Sequence, residues 1–289
     1  MKKLKIGVAG LGRAFAVTAP AFRDPRVEVV AGADPRPEAR RRFKQEYKAH
    51  VFPTVEALCA DPAVEVVYIA TPHQHHASQA RLACAAKKHV LVEKPMALTL
   101  EDCRAMNDAA SANGVQLIVG HSHSFDAPIL LARKLSEGGT YGAVRMITAL
   151  NFTDFLYRPR RPEELSTEAG GGVIFNQAAH QVDIARLLAG TPARWVRATT
   201  QAWDSARPTE GAYHCLIGFD GASAALTYSG YAHFDSDELM GWIGELASAR
   251  TLPRPGDNAT SRAATSCTST SASSSPRARR PTCGRRRRA

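Results

Sequence analysis

Residues 5–12 read Lys-Ile-Gly-Val-Ala-Gly-Leu-Gly, an apolar run that enters a glycine turn with no polar spacer. A second run, Lys88–Pro95, reads Lys-His-Val-Leu-Val-Glu-Lys-Pro and ends on a lysine between Glu93 and a proline. Both have the composition of strands buried on two faces, which a parallel sheet requires. Strands are expected at Lys5–Ala9, Val27–Ala33, Val64–Ala70, His89–Val92 and Gln116–Val119. Helical patterns separate them at Ala14–Phe22, Pro37–Tyr47, Ser78–Ala86 and Leu100–Asn113, the last capped by Thr99 with Glu101 and Asp102 in its first turn. This alternation predicts a doubly wound α/β domain over residues 1–120, with ligands at the carboxyl ends of its strands.

The pattern then changes. Ala143–Thr153, Ala193–Trp203, Ala212–Phe219 and Ser223–Tyr231 alternate apolar and polar residues, as strands with one covered face do. Asp220-Gly221 is a hairpin turn signal, and Asn176–Leu188 reads as a helix closed by Gly190. Residues 121–250 are expected to form an α+β domain around a mostly antiparallel sheet. Residues 251–289 hold one large aliphatic side chain, Leu252, with thirteen Ser or Thr and nine Arg. A segment so poor in apolar surface cannot offset its chain entropy and is expected to be a disordered tail.

That tail also explains the charge. The chain carries a net +10, but nine of its 37 basic residues and only one of its 27 acids lie in the tail. The rest is close to neutral, so no nucleic-acid partner is expected. No run reaches the roughly 18 apolar residues of a membrane span. Met1-Lys2-Lys3 resembles a basic leader, yet Gly7, Gly10 and Gly12 break the stretch behind it as a first strand and turn would. Six cysteines without a C-x-x-C spacing read as free thiols of a reducing cytoplasm.

Gly10-Leu11-Gly12 lets main chain approach a pyrophosphate, with Arg13 and Ala14 opening the helix whose amino terminus faces that charge. Phe15 stands where G-x-G-x-x-G has its third glycine. Asp34, 22 residues after Gly12, is the expected acceptor for a ribose hydroxyl pair and favours NAD. Arg36 offers a 2′-phosphate a partner, which keeps NADP as a second reading. Lys94 beside a cationic nicotinamide would have its charged form disfavoured, which suits it to exchange a proton with a substrate oxygen. His73, His75, His76, His121 and His123 lack the carboxylate or thiolate partners of a zinc site, so no metal is expected. Arg158, Arg160 and Arg161 suit bidentate capture of carboxylates; the alternative is a solvated loop or a subunit contact.

Taken together, Ala9-Gly10-Leu11-Gly12, Thr71-Pro72-x-x-x-His76, Glu93-Lys94-Pro95, the glycines 170–172 and Asn176-x-x-x-His180-x-x-Asp183 resemble the Gfo/Idh/MocA oxidoreductases over residues 1–245. Gly120–Asp126, Tyr157–Leu165 and Tyr228–Asp237 resemble the branch that oxidises cis-dihydrodiols of the phthalate type. The resemblance implies a Rossmann domain, then a domain for substrate and subunit contacts. It implies hydride transfer from a carboxylated cyclic diol to NAD, giving a catechol in cytoplasmic aromatic catabolism. A sugar or inositol dehydrogenase of the same family is the alternative, and a non-catalytic NAD-binding protein is another.

By the same resemblance Lys94 and His180 flank the reacting carbon. Gly10, Gly12, Arg13, Ala14, Asp34, Arg36, Thr71, Pro72, His76, Glu93 and Lys94 line the cofactor. His121, His123, Arg158, Arg160, Arg161, Asn176 and Asp183 face the substrate. Most relatives carry aspartate at the place of Asn176, which leaves that residue an orienting hydrogen bond. Without the resemblance, His180 reads as a buried structural histidine. The family implies a homo-oligomer, and the altered carboxyl end works against it. The likeness stops after Glu245, and the following composition is that of a GC-rich gene read out of phase. A frameshift product from about residues 247–250 onward, leaving the second sheet incomplete, is the expectation, with a natural cationic extension as the alternative.

Overall fold

A computed structural model describes residues 2–243; the expectations about the tail concern residues outside that range. Six parallel strands form the first sheet: β1 (Leu4–Ala9), β2 (Val27–Ala33), β3 (His50–Phe52), β4 (Val66–Ile69), β5 (His89–Glu93) and β6 (Leu117–Gly120). Their spatial order is β3-β2-β1-β4-β5-β6, so the winding reverses between β1 and β4. All four residues of β4 are buried, as its apolar run requires. Helices α1 (Arg13–Thr18), α2 (Pro37–Tyr47), α3 (Val55–Ala60), α4 (His76–Ala85) and α5 (Leu100–Asn113) connect the strands. The Thr99 hydroxyl accepts from the Asp102 amide at the start of α5, the cap anticipated from sequence.

Three details differ from the expectations. The helix after the glycine turn ends at Thr18 and tightens into a 3-10 turn over Ala19–Arg23, where Pro20 lacks an amide hydrogen. β3 and α3 are too short to show a period. Phe15 turns inward and meets Phe22, Phe43 and Tyr47 at ring-centroid separations of 5.6–5.8 Å. An aromatic cluster thus packs α1 and α2 together where a third glycine would have allowed direct main-chain contact.

The second sheet contains β7 (Met146–Phe152), β8 (Ala193–Gln201), β9 (Ala212–Phe219) and β10 (Ala222–Ser229) in the order β7-β10-β9-β8. Two of its pairings are antiparallel; β10 runs parallel to β7. Asp220-Gly221 joins β9 to β10, with Gly221 at φ +76°. Helix α6 (Ala127–Glu137), which sequence patterning did not disclose, has no buried residue. Helix α7 (Ala179–Ala189) covers one face of the sheet and ends at Gly190 in left-handed conformation. Gln181 pins α7 there, accepting from the Tyr213 hydroxyl at 2.6 Å and donating to Thr227 O at 3.3 Å. Phe155, Leu156, Tyr213, Leu226 and Tyr228 form the centre of this core, each at most 2% exposed. Among the described residues no helix is long and apolar enough to cross a membrane.

Candidate active site

The carboxyl ends of β1, β2, β4, β5 and β6 carry Gly10, Asp34, Thr71, Lys94 and His121, so the topology itself assembles one crevice. Gly10 adopts φ +91°, and a Cβ there would lie 2.8 Å from Ala70 O. Only glycine fits. A Cβ on Gly12 would meet nothing closer than Arg36 Nη2 at 3.9 Å, so main chain is open to a ligand at the start of α1. These two glycines fit a dinucleotide pyrophosphate.

Asp34 is 5% exposed and accepts from the Leu11 amide at 3.0 Å and the Arg36 amide at 2.9 Å. The Arg36 guanidinium adds two further bonds, Nε and Nη2 each at 2.9 Å, in a bidentate fork. Burial raises the carboxyl pKa, but the fork and the two amides outweigh it and hold the group below its usual range. Both candidate ribose ligands are therefore present, already bonded to each other.

Around Lys94 the motifs lock together. His76 is fully buried, with Nδ1 2.9 Å from Pro95 O and Nε2 3.0 Å from Thr71 O. A neutral ring donates through one nitrogen at a time, so it ties the Thr71-Pro72 turn to the Lys94-Pro95 turn by alternative bonds. Thr71 donates to Gln79 Oε1 at 2.7 Å. Glu93 accepts from the Tyr68 hydroxyl at 2.5 Å, and Thr18 of α1 reaches the same hydroxyl at 3.0 Å. Burial and the Glu93 charge push the Tyr68 pKa up, so this hydroxyl serves as a donor. His73 sits 3.2 Å from Gly170 O and is pushed down to about 4, first by burial, then by His76, Lys94 and Arg161.

Lys94 Nζ donates to the main-chain oxygen of Asn176 at 2.8 Å. Residues Ile174–Ala178 form a π-helical turn before α7, where the sequence pattern suggested continuous α-helix. The Asn176 side chain is 9% exposed and turns the other way, donating to Gly172 O at 2.7 Å. Main chain, not a side-chain carboxylate, thus meets the lysine. Asn176→Asp is accordingly expected not to build a lysine–carboxylate pair. Its oxygen would face the Gly172 carbonyl, acceptor against acceptor, at a cost of about 1–3 kcal/mol readable in denaturant midpoints.

One turn later His180 is 8% exposed, and its Nδ1 has no hydrogen-bond partner among the described residues. The His123 ring lies flat on it, centroids 3.8 Å apart and planes within 12°. Burial, then Lys94, His123 and His121, hold the His180 pKa down to about 2. His121 Nδ1 is likewise buried without a partner. Asp183 accepts from the Ser124 hydroxyl, which fastens the 3-10 turn of Ser122–Phe125 to α7.

The arginine loop is spent largely on its own acids. Arg158 bonds Asp154 at 2.6 Å. Arg160 stacks 3.7 Å above Phe155, donates to Phe155 O and pairs with Glu164 at 3.4 Å, its side chain only 7% exposed. Arg161 pairs with Glu163 and Glu164 and remains 57% exposed. The loop still neighbours the crevice, since Arg161 acts on His73 and Arg13 of α1 acts on Arg160. Among the described residues no three His, Cys, Asp or Glu side chains converge as metal ligands.

One residue behind this arrangement carries no motif. Glu210 is 7% exposed and accepts from the Thr167 hydroxyl, the Thr209 hydroxyl at 3.2 Å and the Ile174 amide at 3.2 Å. It anchors the entrance to the π-turn. Gly172, at φ +72°, lies so close that a Cβ there would strike the Glu210 carboxylate. An acid between Thr209 and Gly211 at the head of an apolar strand was the only signal available.

Comparison with known proteins supplies the context for this geometry. An oxidoreductase family with an NAD-binding Rossmann fold, Gfo/Idh/MocA, matches residues 4–121, and the Gfo/Idh/MocA carboxyl-terminal domain matches residues 129–250. The 1-carboxy-3-chloro-3,4-dihydroxycyclohexa-1,5-diene dehydrogenase of Comamonas testosteroni is 57% identical over 246 residues, 84% of this chain. The chain spans 62% of that relative's length. A provisionally assigned dehydrogenase of Bordetella bronchiseptica RB50 superposes with a TM-score of 0.86 at 39% identity, covering 93% of this chain and 70% of the other. WlbA dehydrogenase of Bordetella pertussis, solved with NADH and UDP-GlcNAcA, gives 0.69 at 28% identity, covering 79% and 72%. The glycine turn, the Glu93-Lys94-Pro95 corner and the helix of His180 thus stand in a chain that belongs to the Gfo/Idh/MocA oxidoreductase family, with an NAD-binding Rossmann fold at its amino end.

Proposed function

We propose that this chain binds NAD and oxidises a cis-dihydrodiol on a carboxylated cyclohexadiene ring to a catechol. The observation that carries the reading is the meeting of Lys94, the π-turn at Asn176 and the buried imidazole of His180. Gly10, Gly12, Arg13 and Ala14 would hold the pyrophosphate, with Asp34 and Arg36 at the ribose. Thr71, Pro72, His76, Glu93 and Lys94 would line the nicotinamide side. When bound there, NAD supplies a hydride acceptor.

The chain's own residues handle the proton. His180 stays neutral, and its buried imidazole is the group that takes it from the substrate hydroxyl. Lys94, fixed at Asn176 O, directs its remaining hydrogens to the same oxygen and disfavours the imidazolium once formed, which promotes its release of the proton. The ring ketone then tautomerises to a catechol, and aromaticity draws the oxidation forward. Arg161, the most exposed of the three loop arginines, is the one able to turn towards a ring carboxylate; Arg158 and Arg160 shape the loop behind it. The relative that oxidises a carboxylated, dihydroxylated cyclohexadiene supports this choice of substrate.

One observation favours a second reading. Because all three loop arginines have acidic partners, a neutral polyol would also be accommodated, as in a sugar or inositol dehydrogenase. Purified full-length chain incubated with NAD and the phthalate cis-dihydrodiol should produce NADH absorbance. Turnover of inositol or a sugar, with none of the diol, selects the second reading instead.

A further inference from the structure

The geometry points to His123 as a positioning residue: its ring, pressed flat on His180, holds that imidazole in a single plane, a task usually given to a hydrogen-bonding carboxylate. This rests on the reading of His180 as the proton acceptor.

A histidine that moves protons is ordinarily oriented through a hydrogen bond at its other nitrogen, from a carboxylate or a carbonyl. Here Nδ1 is buried without a partner. Asn176, one turn earlier on the same side of the helix, gives its amide to Gly172 O and is not free to serve. Asp183, one turn later, takes the Ser124 hydroxyl. Among the described residues, therefore, no polar group hydrogen-bonds this ring to set its angle.

Packing sets it instead. Parallel rings 3.8 Å apart and 12° from coplanar are in van der Waals contact across their whole faces. Rotation of His180 about its Cβ–Cγ bond would drive a ring edge into His123, so the plane is fixed. His123 is itself secured, because Ser124, its neighbour on the 3-10 turn, is bonded to Asp183 on α7. Two adjacent contacts, ring on ring and hydroxyl on carboxylate, dock this turn against the helix. The groups bearing on His180 are Lys94, His121 and His123, and all three disfavour a proton on it, so the stacked ring that is held is the neutral one. With its plane fixed, the Lys94 ammonium acts on one unchanging presentation of the ring and favours one tautomer, whereas a turning ring averages the two.

Full-length chain carrying nitrogen-labelled histidine provides the test, with the His180 signals assigned through His180→Gln. At neutral pH the parent should show His180 as one neutral tautomer. His123→Ala should give averaged ring-nitrogen shifts, the signature of exchange between tautomers. His123→Phe, which keeps the flat face and discards the nitrogens, should bring the single tautomer back. In turnover of the diol, His123→Ala should lower kcat by about tenfold or more without changing KM for NAD, and His123→Phe should recover most of that loss. If His123→Ala fails to fold, Ser124→Ala loosens the same turn and should move the nitrogen shifts in the same direction. Unchanged nitrogen shifts in both variants overturn the inference, and so does a phenylalanine variant as disturbed as the alanine one. A parent without diol turnover overturns the proposed reaction alone, since the nitrogen shifts do not depend on it.

Discussion

Replacing Lys94 by methionine is expected to lower kcat for the diol by about a thousandfold, within the range a positioned proton-transfer group contributes, or about 4 kcal/mol of barrier. Methionine matches the length of the lysine stem and removes the ammonium that meets Asn176 O at 2.8 Å. Affinity for NAD should remain within severalfold, because the glycine turn at Gly10 and Gly12 and the Asp34 carboxylate lie on other strands. Single-turnover absorbance gives the first quantity, and titration calorimetry with NAD gives the second. A variant within about tenfold of the parent would remove Lys94 from the chemistry.

Acid should weaken the fold well before its carboxylates protonate. His73 and His180 are held down to about 4 and about 2, both chiefly by burial, and burial also lowers His76. In the unfolded chain each would titrate at its ordinary value of about 6.5. Below that value the unfolded chain binds protons that the folded protein refuses, so stability falls as pH falls. The slope is about 1.4 kcal/mol per pH unit for each histidine. Between pH 7 and pH 5 the loss from His73 and His180 together is roughly 4 kcal/mol, a large share of an ordinary domain's stability. Urea denaturation at successive pH values measures it, and His180→Gln should flatten the slope by about one proton's worth. A midpoint that stays constant over this interval would contradict the burial of these rings.

Much of the fold was legible because its signals are local. The apolar run into Gly10 and the run into Lys94 became two strands of one parallel sheet, on either side of β4, and Asp220-Gly221 became the hairpin between β9 and β10. Short elements were not legible: β3 has three residues and α3 has six, less than two full turns. The π-turn at Ile174–Ala178 also escaped notice, since one extra residue in a turn hardly alters an apolar pattern.

The candidate site divides along the same line. Lys94 and His180 announced themselves through motifs, whereas Ser124 and Asp183 stand 59 positions apart and nothing local couples them. Glu210 likewise gains its meaning only from Thr167 and Ile174, which tertiary packing brings to it. The arginine loop is a different case. Its pairings join Arg158 to Asp154 and Arg160 to Glu164, both four residues apart, so the neutralising acids were in plain view beside the cations.

With the ribose at Asp34 as proposed, the Asp34–Arg36 fork would make cofactor entry an exchange rather than a simple addition. A ribose can reach that carboxylate only as the guanidinium lets go, so new bonds replace old ones of similar strength. The net gain at this end is small, and tight capture has to come from the phosphates and the nicotinamide. Once displaced, the same guanidinium becomes a mobile positive charge at the rim of the ribose pocket. A sugar bearing an extra phosphate would give it a new anion to hold, whereas a plain diol would leave it to water.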